Sequence, residues 1–436
     1  MKQVYLETYG CQMNVADSEL MLGVLARAGY ARSDTPEGAD LMLLNTCAVR
    51  DNAEQRVIGR MGELQRFKRP GSVLGVVGCM AQRLGPRLLA QVPKVDLVVG
   101  PDAYRNLDEL VAQASGGARL AETDFRHWEH YEDVPPVREA GPTQFITVQR
   151  GCDYKCTFCI VPYTRGTERS RKLGEVVREA AALAAQGTSE VTLLGQTVNS
   201  YHDGERDFAD LLRAVGAVDG IRRVRFTSPY PTDFTDRVIE AMATTSAVCE
   251  HVHLPAQSGS NAVLRRMLRR YTREAYLDVV SRLRAAMPAI TFSTDLIVGF
   301  PGETEEEFGE TLTLVAEAAF DDAYTFRYSM REGTPAVRIP QHVPDDVSGE
   351  RLERLIELVR DQARRRNMDR VGTTCEVLVE RPARRGDLLL GRTRTNHLVL
   401  VDLPPAAIGE YHPVVLTGTT GSTFTGSVVR PQLAVL

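Results

Sequence analysis

Strand-like and helix-like segments alternate through the first part of this chain, and this alternation constrains the fold more than any other feature. Helical periodicity covers residues 17–28, starting at an acidic N-cap, and residues 51–67. Segments typical of buried strands lie at 2–9, 40–46, 73–78 and 95–99. Because a helix between two strands carries the chain back across the sheet, such strands run parallel. We therefore predict an α/β fold that begins with a doubly wound parallel sheet over residues 1–118.

The alternation resumes at Thr143, after a segment without clear periodicity. Residues 119–142 are rich in glycine, proline and charge, so we interpret them as a linker or a loop wrapped on a neighbour. Helical patterns such as 173–186 and 304–318 separate six strand candidates, at 144–149, 190–194, 222–227, 249–254, 290–298 and 323–328. Six strand–helix units predict a partial (βα)6, TIM-like barrel over residues 143–369, with a long charged helix at 348–368.

The last part of the chain, residues 370–436, changes to an all-β pattern. Segments rich in Val, Leu and Thr, separated by Gly and Pro, lie at 374–380, 388–393, 397–402 and 424–429. This pattern is typical of a small all-β barrel. A chain of 436 residues is also too long for one ordinary core, which favours two or three domains.

Composition narrows the class of protein and its compartment. The formal net charge is −5, so nucleic acid would have to bind through local basic patches. No apolar run is long enough to span a bilayer, and residues 1–10 lack the pattern of a signal peptide. We therefore expect a cytoplasmic protein that does not associate with a membrane. Since a reducing cytosol disfavours disulfides, metal ligation is the leading explanation for the eight cysteines.

Three cysteines, Cys152, Cys156 and Cys159, lie in one short loop directly after the first strand of the predicted barrel. In barrels of this kind the chemistry takes place at the carboxyl ends of the strands. Thiolates select zinc, copper(I) or iron–sulfur, and structural zinc usually takes four protein ligands from two separated pairs. Three ligands leave one metal position open, so we favour a four-iron cluster with one unprotected iron. A three-cysteine zinc knuckle, or chance spacing of the cysteines, is the alternative.

Three more cysteines, Cys11, Cys47 and Cys79, each follow a predicted strand, in ETYGC, LLNTC and VVGC. If the sheet is parallel, these strands end on the same edge, where open α/β sheets place ligands. We therefore expect the thiols to converge and to form a second metal centre; three cysteines packed in the core are the alternative. Cys249 and Cys375 have no partner at ligand spacing, so we assign both to packing.

The cysteine loop with its aromatic Phe158, together with STDLIVGFPGE at 293–303, resembles the radical S-adenosylmethionine (SAM) superfamily. There the open iron chelates the amino and carboxylate groups of SAM. The resemblance implies that Phe158 lies near the adenine, and that Gln196 and Asn199 lie near the methionine end. It implies contacts to the ribose and adenine from Asp295 and from the segment with Gly299, Gly302 and Glu303. A capping or loop role is the alternative for Gln196 and Asp295.

Nearly the whole chain resembles the methylthiotransferases, through TYGCQMNVADSE, VPYTRGTERSR, HLPAQSGS and TDLIVGFPGET. The resemblance implies an amino-terminal methylthiotransferase domain, a radical SAM core and a carboxyl-terminal TRAM domain. GCQMN followed by DSE is similar to the MiaB-type branch, which makes 2-methylthio-N6-dimethylallyladenosine at position 37 of tRNA. Sister branches modify threonylcarbamoyl-adenosine in tRNA or an aspartate of a ribosomal protein, and both stay open. A zinc-dependent RNA-binding protein without catalysis is the alternative from a different class.

Cofactors and partners follow from the same resemblance. It implies two [4Fe-4S] clusters, one on each cysteine triad, with one SAM donating a methyl group and a second cleaved reductively at the catalytic triad of Cys152, Cys156 and Cys159. The radical would act at C2 of adenine, whose C–H bond gives acid–base chemistry no handle. We expect the anticodon stem-loop of tRNA as substrate, a flavodoxin or ferredoxin as electron donor, and a monomeric enzyme.

Candidate RNA contacts are arginines in two places, after the cysteine loop and in the final β part: Arg165, Arg169, Arg171, Arg381, Arg384, Arg385, Arg392 and Arg394. For each of these a solvated surface role is the alternative. The same alternative applies to the helix-like cluster of Arg265, Arg266, Arg269 and Arg270.

Overall fold

A computed structural model describes residues 1–48, 51–384 and 386–429, and its first part is a six-stranded sheet. The strands are β1 (Lys2–Tyr9), β2 (Tyr30–Ser33), β3 (Leu41–Thr46), β4 (Val73–Gly78), β5 (Leu97–Val99) and β6 (Leu120–Glu122). The helices are α1 (Gln12–Arg27), α2 (Asp51–Leu64), α3 (Cys79–Leu84), α4 (Pro86–Gln91) and α5 (Leu107–Ser115). The strand order is β2-β1-β3-β4-β5-β6, and every neighbouring pair is parallel, as the alternation predicts.

Alternate residues of the central strands enter two separate cores, one on each face of the sheet. Leu41 and Leu43 of β3 pack with α1 and α5, whereas Met42 and Leu44 pack with α2, α3 and α4. Strands buried on both faces have unbroken apolar sequences, which explains the pattern of β3. The strand order reverses between β1 and β3, so a ligand site is expected outside their carboxyl ends.

Three local features of this first part differ from the sequence-based prediction. Helix α1 begins at Gln12 and not near Asp17, because Cys11 takes the N-cap position, which cysteine seldom fills. Strands β2 and β6 are missing from the prediction because three or four residues at a sheet edge show too little alternation. Strand β6 lies inside the predicted linker 119–142, and Tyr131 and Val134 of that segment also join the core of the sheet.

The middle of the chain contains six parallel strands in sequence order, arranged as two three-stranded sheets. The strands and short pairings are β7 (Thr143–Thr147), β8 (Gln149–Arg150), β9 (Arg169–Ser170), β10 (Glu190–Leu194), β11 (His202–Asp203), β12 (Arg206–Asp207), β13 (Arg223–Phe226), β14 (His251–His253), β15 (Thr291–Val298) and β16 (Asp322–Arg327). The sheet β7-β10-β13 meets the sheet β14-β15-β16 through a parallel bridge between Val224 and Val248.

Helices cover these strands on one side. They are α6 (Val161–Arg165), α7 (Leu173–Ala185), α8 (Phe208–Gly216), α9 (Asp236–Thr244), α10 (Asn261–Arg266), α11 (Arg273–Ala286), α12 (Glu305–Ala318) and α13 (Asp345–Met368). One apolar core packs the strands against α7 to α13. The loop that carries Cys152, Cys156 and Cys159 follows β8 at the carboxyl end of β7.

The last part forms a closed five-stranded barrel, in agreement with the predicted small all-β barrel. Its strands are β17 (Thr374–Pro382), β18 (Leu389–Thr393), β19 (Leu398–Val401), β20 (Tyr411–Thr419) and β21 (Thr423–Val428). They pair in the order β17-β18-β19-β21-β20. Strand β20 is missing from the prediction because Pro413 inside it is typical of a strand break. Across the described ranges, no helix combines the length and apolarity that a membrane crossing requires.

Candidate functional site

The three amino-terminal cysteines follow strand ends that lie in register. Tyr9 of β1 is paired with Thr46 of β3, and Thr46 is paired with Gly78 of β4. One or two residues after these ends come Cys11, Cys47 and Cys79. The parallel register therefore brings the three cysteines to one edge of the sheet, beside the point where the strand order reverses.

Buried amides hold the loop that carries Cys11. The fully buried Asn14 donates to Asn45 Oδ1 at 3.1 Å, and Asn45 donates to the Asn14 carbonyl at 2.7 Å. The Cys11 N–H donates to Asn14 Oδ1 at 3.3 Å. The neighbouring loop comes so close that a Cβ on Gly10 would lie 3.0 Å from the Cys47 Cβ. Glycine is therefore required where the Cys11 and Cys47 loops meet.

A buried ion-pair network joins the sheet to the loop-and-helix segment of the middle part. Asp17 of α1 is fully buried and pairs with Arg150 Nη1 at 2.8 Å and with Arg165 Nη1 at 2.7 Å. Arg165 also donates from Nε to Cys79 Sγ at 3.2 Å. Burial raises the pKa of Cys79, and the Arg165 guanidinium opposes that rise. Arg165 thus places a positive charge against one thiol of the amino-terminal triad.

The second cysteine loop begins at a position that only glycine can occupy. Gly151 has φ +76°, and a Cβ there would lie 1.9 Å from the Thr167 carbonyl oxygen. This contact lets the Cys152 N–H donate to the Gly166 carbonyl at 3.1 Å. Farther along the loop, Thr157 donates from its N–H to the Met267 carbonyl at 3.0 Å. The loop is therefore fixed at both ends by backbone hydrogen bonds.

Arg269 lies against this second loop. Its Nη1 donates to Cys156 Sγ at 3.3 Å, and its Nε donates to the Tyr271 hydroxyl at 2.9 Å. The guanidinium also lies 4.4 Å from the ring centroid of Tyr230. In each cysteine triad a thiol thus accepts a hydrogen bond from an arginine. A nearby cation stabilises the thiolate form and the negative charge of a thiolate-ligated centre.

Burial makes two thiols of the second triad, those of Cys152 and Cys159, poor acids in the absence of metal. It raises the pKa of Cys152 to about 11 and that of Cys159 to about 12. A coordinating metal deprotonates a thiol outright, so such a site has thiolates when metal is bound.

All six cysteines line one cavity of about 390 Å³. The sheet contributes one triad to its wall and the middle part contributes the other, so the cavity lies between the two parts of the chain. Among the described residues, no three His, Cys, Asp or Glu side chains are placed to hold a single metal ion.

Three of the predicted SAM-binding residues line this cavity: Phe158, Gln196 and Asp295. The Gln196 Oε1 atom is buried and has no hydrogen-bond partner among the described residues. An unpaired buried acceptor is costly unless a ligand satisfies it. A cationic donor such as the ammonium group of SAM would do so, and the residues present therefore fit the cofactor.

Four predicted SAM contacts do not line the cavity, and they stay predictions. Both amide atoms of Asn199 bond the backbone of Tyr230, at 2.9 and 2.7 Å. Glu303 accepts from the Gly299 N–H at 2.9 Å and from Arg351 Nη1 at 2.9 Å. The Gly302 N–H donates to the Gln341 carbonyl at 2.8 Å. These residues shape the loops behind the cavity and do not line it.

Three predicted RNA contacts are held in ion pairs: the side chains of Arg165 and Arg169 are buried, which corrects the prediction for these two, and that of Arg171 is half-buried. Arg165 pairs with Asp17, Arg169 with Asp102, and Arg171 with Glu179. In the final barrel, Arg392 pairs with Glu380 and Arg394 with Glu250. Arg381 and Arg384 are exposed and remain candidates, and Arg385 lies outside the described residues. Of the helix-like cluster, Arg265 and Arg270 are exposed, whereas Arg266 pairs with Glu307 and Arg269 contacts Cys156.

The sequence reasoning missed several residues of the cavity wall, among them Tyr230, Gln257 and Arg269. Gln257 lies in the segment HLPAQSGS, which gave a signal for the family but none for a role. The two cysteines assigned to packing are placed accordingly. Cys249 is buried, and Cys375 packs against the core of the final barrel.

Two family models match the two parts of the chain that form the cavity. Residues 3–100 match the uncharacterized protein family UPF0004, and residues 146–315 match the radical SAM superfamily. A solved radical SAM methyltransferase, TsrM from Kitasatospora setae, shares the fold with a TM-score of 0.59 over 77% of each chain, at 16% identity. The fold and the site thus define a protein of the radical SAM class, a class that uses an iron–sulfur cluster and SAM.

Relatives that match nearly the full length of the chain identify its family within the radical SAM class. The tRNA-2-methylthio-N(6)-dimethylallyladenosine synthase of Geobacter sulfurreducens is 45% identical over 99% of this chain and 98% of its own length. The enzyme of the same name from Chloroherpeton thalassium is 43% identical over 98% of this chain and 96% of its own length. This chain belongs to the family of tRNA-2-methylthio-N(6)-dimethylallyladenosine synthases.

Proposed function

We propose that this protein methylthiolates C2 of N6-dimethylallyladenosine in tRNA, next to the anticodon, in a SAM-dependent radical reaction. The observation that carries the proposal is the single cavity lined by both cysteine triads. One centre can generate a radical, and the other can present sulfur within the same cavity. The relatives share a name that states this product, which supports the choice of nucleoside.

We assign one [4Fe-4S] cluster to each triad. Cys152, Cys156 and Cys159 would hold the cluster that binds SAM, and three protein ligands leave one iron for the amino and carboxylate groups of the cofactor. When bound and reduced, this cofactor pair supplies a carbon radical that can act on an unactivated C–H bond. Cys11, Cys47 and Cys79 would hold the second cluster, whose open iron can take an additional sulfur.

The chain's own residues have positioning roles around these groups. Gln196 offers a buried acceptor toward the methionine end of SAM, and Asp295 offers a carboxylate toward the ribose. Phe158 contributes an aromatic ring near the adenine. Arg165 and Arg269 each donate to one cysteine sulfur and so offset the negative charge of a thiolate-bound cluster.

We divide the chain into a methylthiotransferase domain (1–118), a connecting segment (119–142), a radical SAM core arranged as a partial (βα)6 barrel (143–369) and a TRAM domain (370–436).

The substrate would be the anticodon stem-loop of tRNA, because the target base must leave its stack to reach a cavity. A flavodoxin or ferredoxin would supply electrons. We expect a monomer that works in the cytoplasm.

A reconstituted enzyme assay tests the proposal. The protein would be reconstituted without oxygen, incubated with SAM, a reductant and tRNA that lacks the methylthio group, and the nucleosides analysed by mass spectrometry. We expect 2-methylthio-N6-dimethylallyladenosine from the native protein and none from Cys156→Ala. A methylthio product only on threonylcarbamoyl-adenosine, or only on a ribosomal-protein aspartate, would replace the proposed substrate. A colourless protein that contains zinc would reject the radical chemistry itself.

A further inference from the structure

Four aromatic side chains are exposed in two segments, three in residues 125–128 and one on α6, the helix that follows the second cysteine loop. Trp128 is the chain's single tryptophan and is 74% exposed, and Phe125 and His127 beside it are also exposed. The rings of Phe125 and His127 are stacked, with centroids 6.3 Å apart and an interplanar angle of 16°. Tyr163 of α6 is 51% exposed. We call these four residues the aromatic platform.

A buried ion pair holds the platform segment in place. Asp102 and Arg169 are both buried and pair at 2.9 Å. The Arg126 N–H donates to Asp102 Oδ2 at 3.0 Å, and Arg169 Nη1 donates to the Arg126 carbonyl at 2.7 Å. Two hydrogen bonds, one from the Arg126 N–H and one to the Arg126 carbonyl, therefore fix the backbone between Phe125 and His127. A buried ion pair of this kind fixes a conformation more than it adds stability, and a fixed surface loses little entropy on binding.

The platform borders the wall of the cysteine cavity. The ring of Phe125 lies 3.2 Å from where a Cβ on Gly166 would be, and His127 Nδ1 lies 3.1 Å from Thr167 Oγ1. Immediately before Gly166, the residues that line the cavity include Thr164 and Arg165. Phe125 and His127 therefore adjoin the segment that contributes Thr164 and Arg165 to the cavity wall.

The charges near the platform indicate which chemical groups of a partner it can bind. Its exposed neighbours Asp124 and Asp153 are acidic, and Arg126 is paired with Glu122 at 3.4 Å. The binding energy for a nucleic acid would therefore have to come from the rings and not from these charged neighbours. Flat exposed rings set among polar groups suit nucleobases, which have a π-face and polar edges.

We propose that the aromatic platform stacks unpaired bases of the RNA loop that carries the target adenosine. This inference rests on the proposed function and names the surface that receives the loop. It gives Arg169 an indirect role in RNA binding: it fixes the segment that contacts the bases, although its own side chain is buried.

The single tryptophan permits a direct test in the full-length reconstituted protein. Its fluorescence would be followed during titration with an anticodon stem-loop RNA, with the same stem closed as a duplex as the control. We expect the loop RNA to quench Trp128 and the duplex to leave it unchanged. Dissociation constants measured by filter binding should rise between about 5-fold and 150-fold in Trp128→Ala, since stacking one base is worth about 1–3 kcal/mol.

Variants separate stacking from loss of the segment's structure. Trp128→Phe retains an aromatic face and should keep most of the affinity, whereas Trp128→Leu should bind as weakly as Trp128→Ala. Val137→Ala changes another exposed apolar residue of residues 119–142 and should bind RNA normally.

The outcomes distinguish this inference from the proposed function. Native affinity in Trp128→Ala and Tyr163→Ala, with methylthiolation intact, would overturn the platform and leave the function standing. Quenching by flavodoxin and not by RNA would also overturn it, because the surface would then be a protein docking site. Failure of the native protein to bind or modify any tRNA would reject the proposed function first.

Discussion

Arg165 Nε lies 3.2 Å from Cys79 Sγ, while Nη1 of the same guanidinium lies 2.7 Å from Asp17 Oδ2. One buried arginine of the middle part therefore contacts both a candidate cluster ligand and the only carboxylate that α1 directs into this network. The contact ties the geometry of the amino-terminal cysteine triad to the loop of the other triad.

Replacing Arg165 should weaken both the fold and the amino-terminal metal centre. In Arg165→Met, Asp17 keeps its ion pair with Arg150 and loses the one with Arg165. Removing one partner of a buried ion pair lowers the free energy of unfolding by at most about 3–5 kcal/mol. Iron should fall from about eight per chain toward about four, the content of one cluster. Urea unfolding and iron analysis after anaerobic reconstitution measure the two effects.

The matched control is Arg87→Met, because Arg87 is an exposed arginine of α4 that pairs with Glu332 at 3.1 Å. It should unfold like the native protein and keep its iron, since exposed pairs contribute little. A full iron content with native stability in Arg165→Met would contradict the coupling.

The two triads should account separately for the iron. Replacing Cys11, Cys47 and Cys79 together by alanine should leave about four irons per chain, and so should replacing Cys152, Cys156 and Cys159. Only the first variant should still cleave SAM reductively, as measured by 5′-deoxyadenosine release. Cys375→Ala, a cysteine packed in the barrel, should keep about eight irons. Zinc, or iron that is insensitive to either triple substitution, would reject the assignment.

Much of the cysteine arrangement was predictable because it depends on topology. Strand–helix alternation implies parallel strands, parallel strands end together, and the three amino-terminal cysteines follow such ends. The buried arginines were not predictable, because charged residues are usually exposed and their partners are distant in sequence. Arg169 pairs with a carboxylate 67 positions away, and Arg150 with one 133 positions away. The sequence motifs indicate which loops border the cavity. They do not show which atoms of those loops already form hydrogen bonds to the backbone.

Gln196 should show opposite effects on stability and on cofactor binding. Its Oε1 is a buried acceptor without a partner among the described residues, so Gln196→Leu removes a desolvation cost of about 1–3 kcal/mol. The variant should be as stable as the native protein or more stable. Its dissociation constant for SAM should rise about 10-fold or more, because a hydrogen bond to a charged group is worth about 1.5–3 kcal/mol. Equilibrium dialysis and urea unfolding test this pair of effects; unchanged SAM affinity would exclude the proposed contact.

Asn199 should behave in the opposite way, as a residue that positions Tyr230. Asn199→Ala leaves the buried Tyr230 N–H unpaired, at a cost of about 1–3 kcal/mol, whereas the Tyr230 carbonyl keeps its hydrogen bond from the Asp233 N–H. The free energy of unfolding of the SAM-free protein should therefore be lower in Asn199→Ala than in the native protein. Asn199→Asp keeps the acceptor for the Tyr230 N–H and should recover part of the loss. If Asn199→Ala lost only SAM binding and no stability, the direct contact implied by the family resemblance would be restored.

His397 should make the fold sensitive to mild acid. Burial lowers the pKa of His397 from 6.5 to about 4, and its Nδ1 lies 2.9 Å from Thr395 Oγ1. In the unfolded chain the imidazole binds a proton below about pH 6.5, whereas in the folded chain it stays neutral until about pH 4. The contribution of neutral His397 to the free energy of unfolding is therefore present above pH 6.5 and is lost as the pH falls from 6.5 to about 4, by roughly 3 kcal/mol in total.

His397→Gln cannot titrate and should flatten the dependence of unfolding free energy on pH between these values. Urea unfolding of the two proteins at several pH values measures the difference, and parallel pH profiles would show that His397 is not the group responsible.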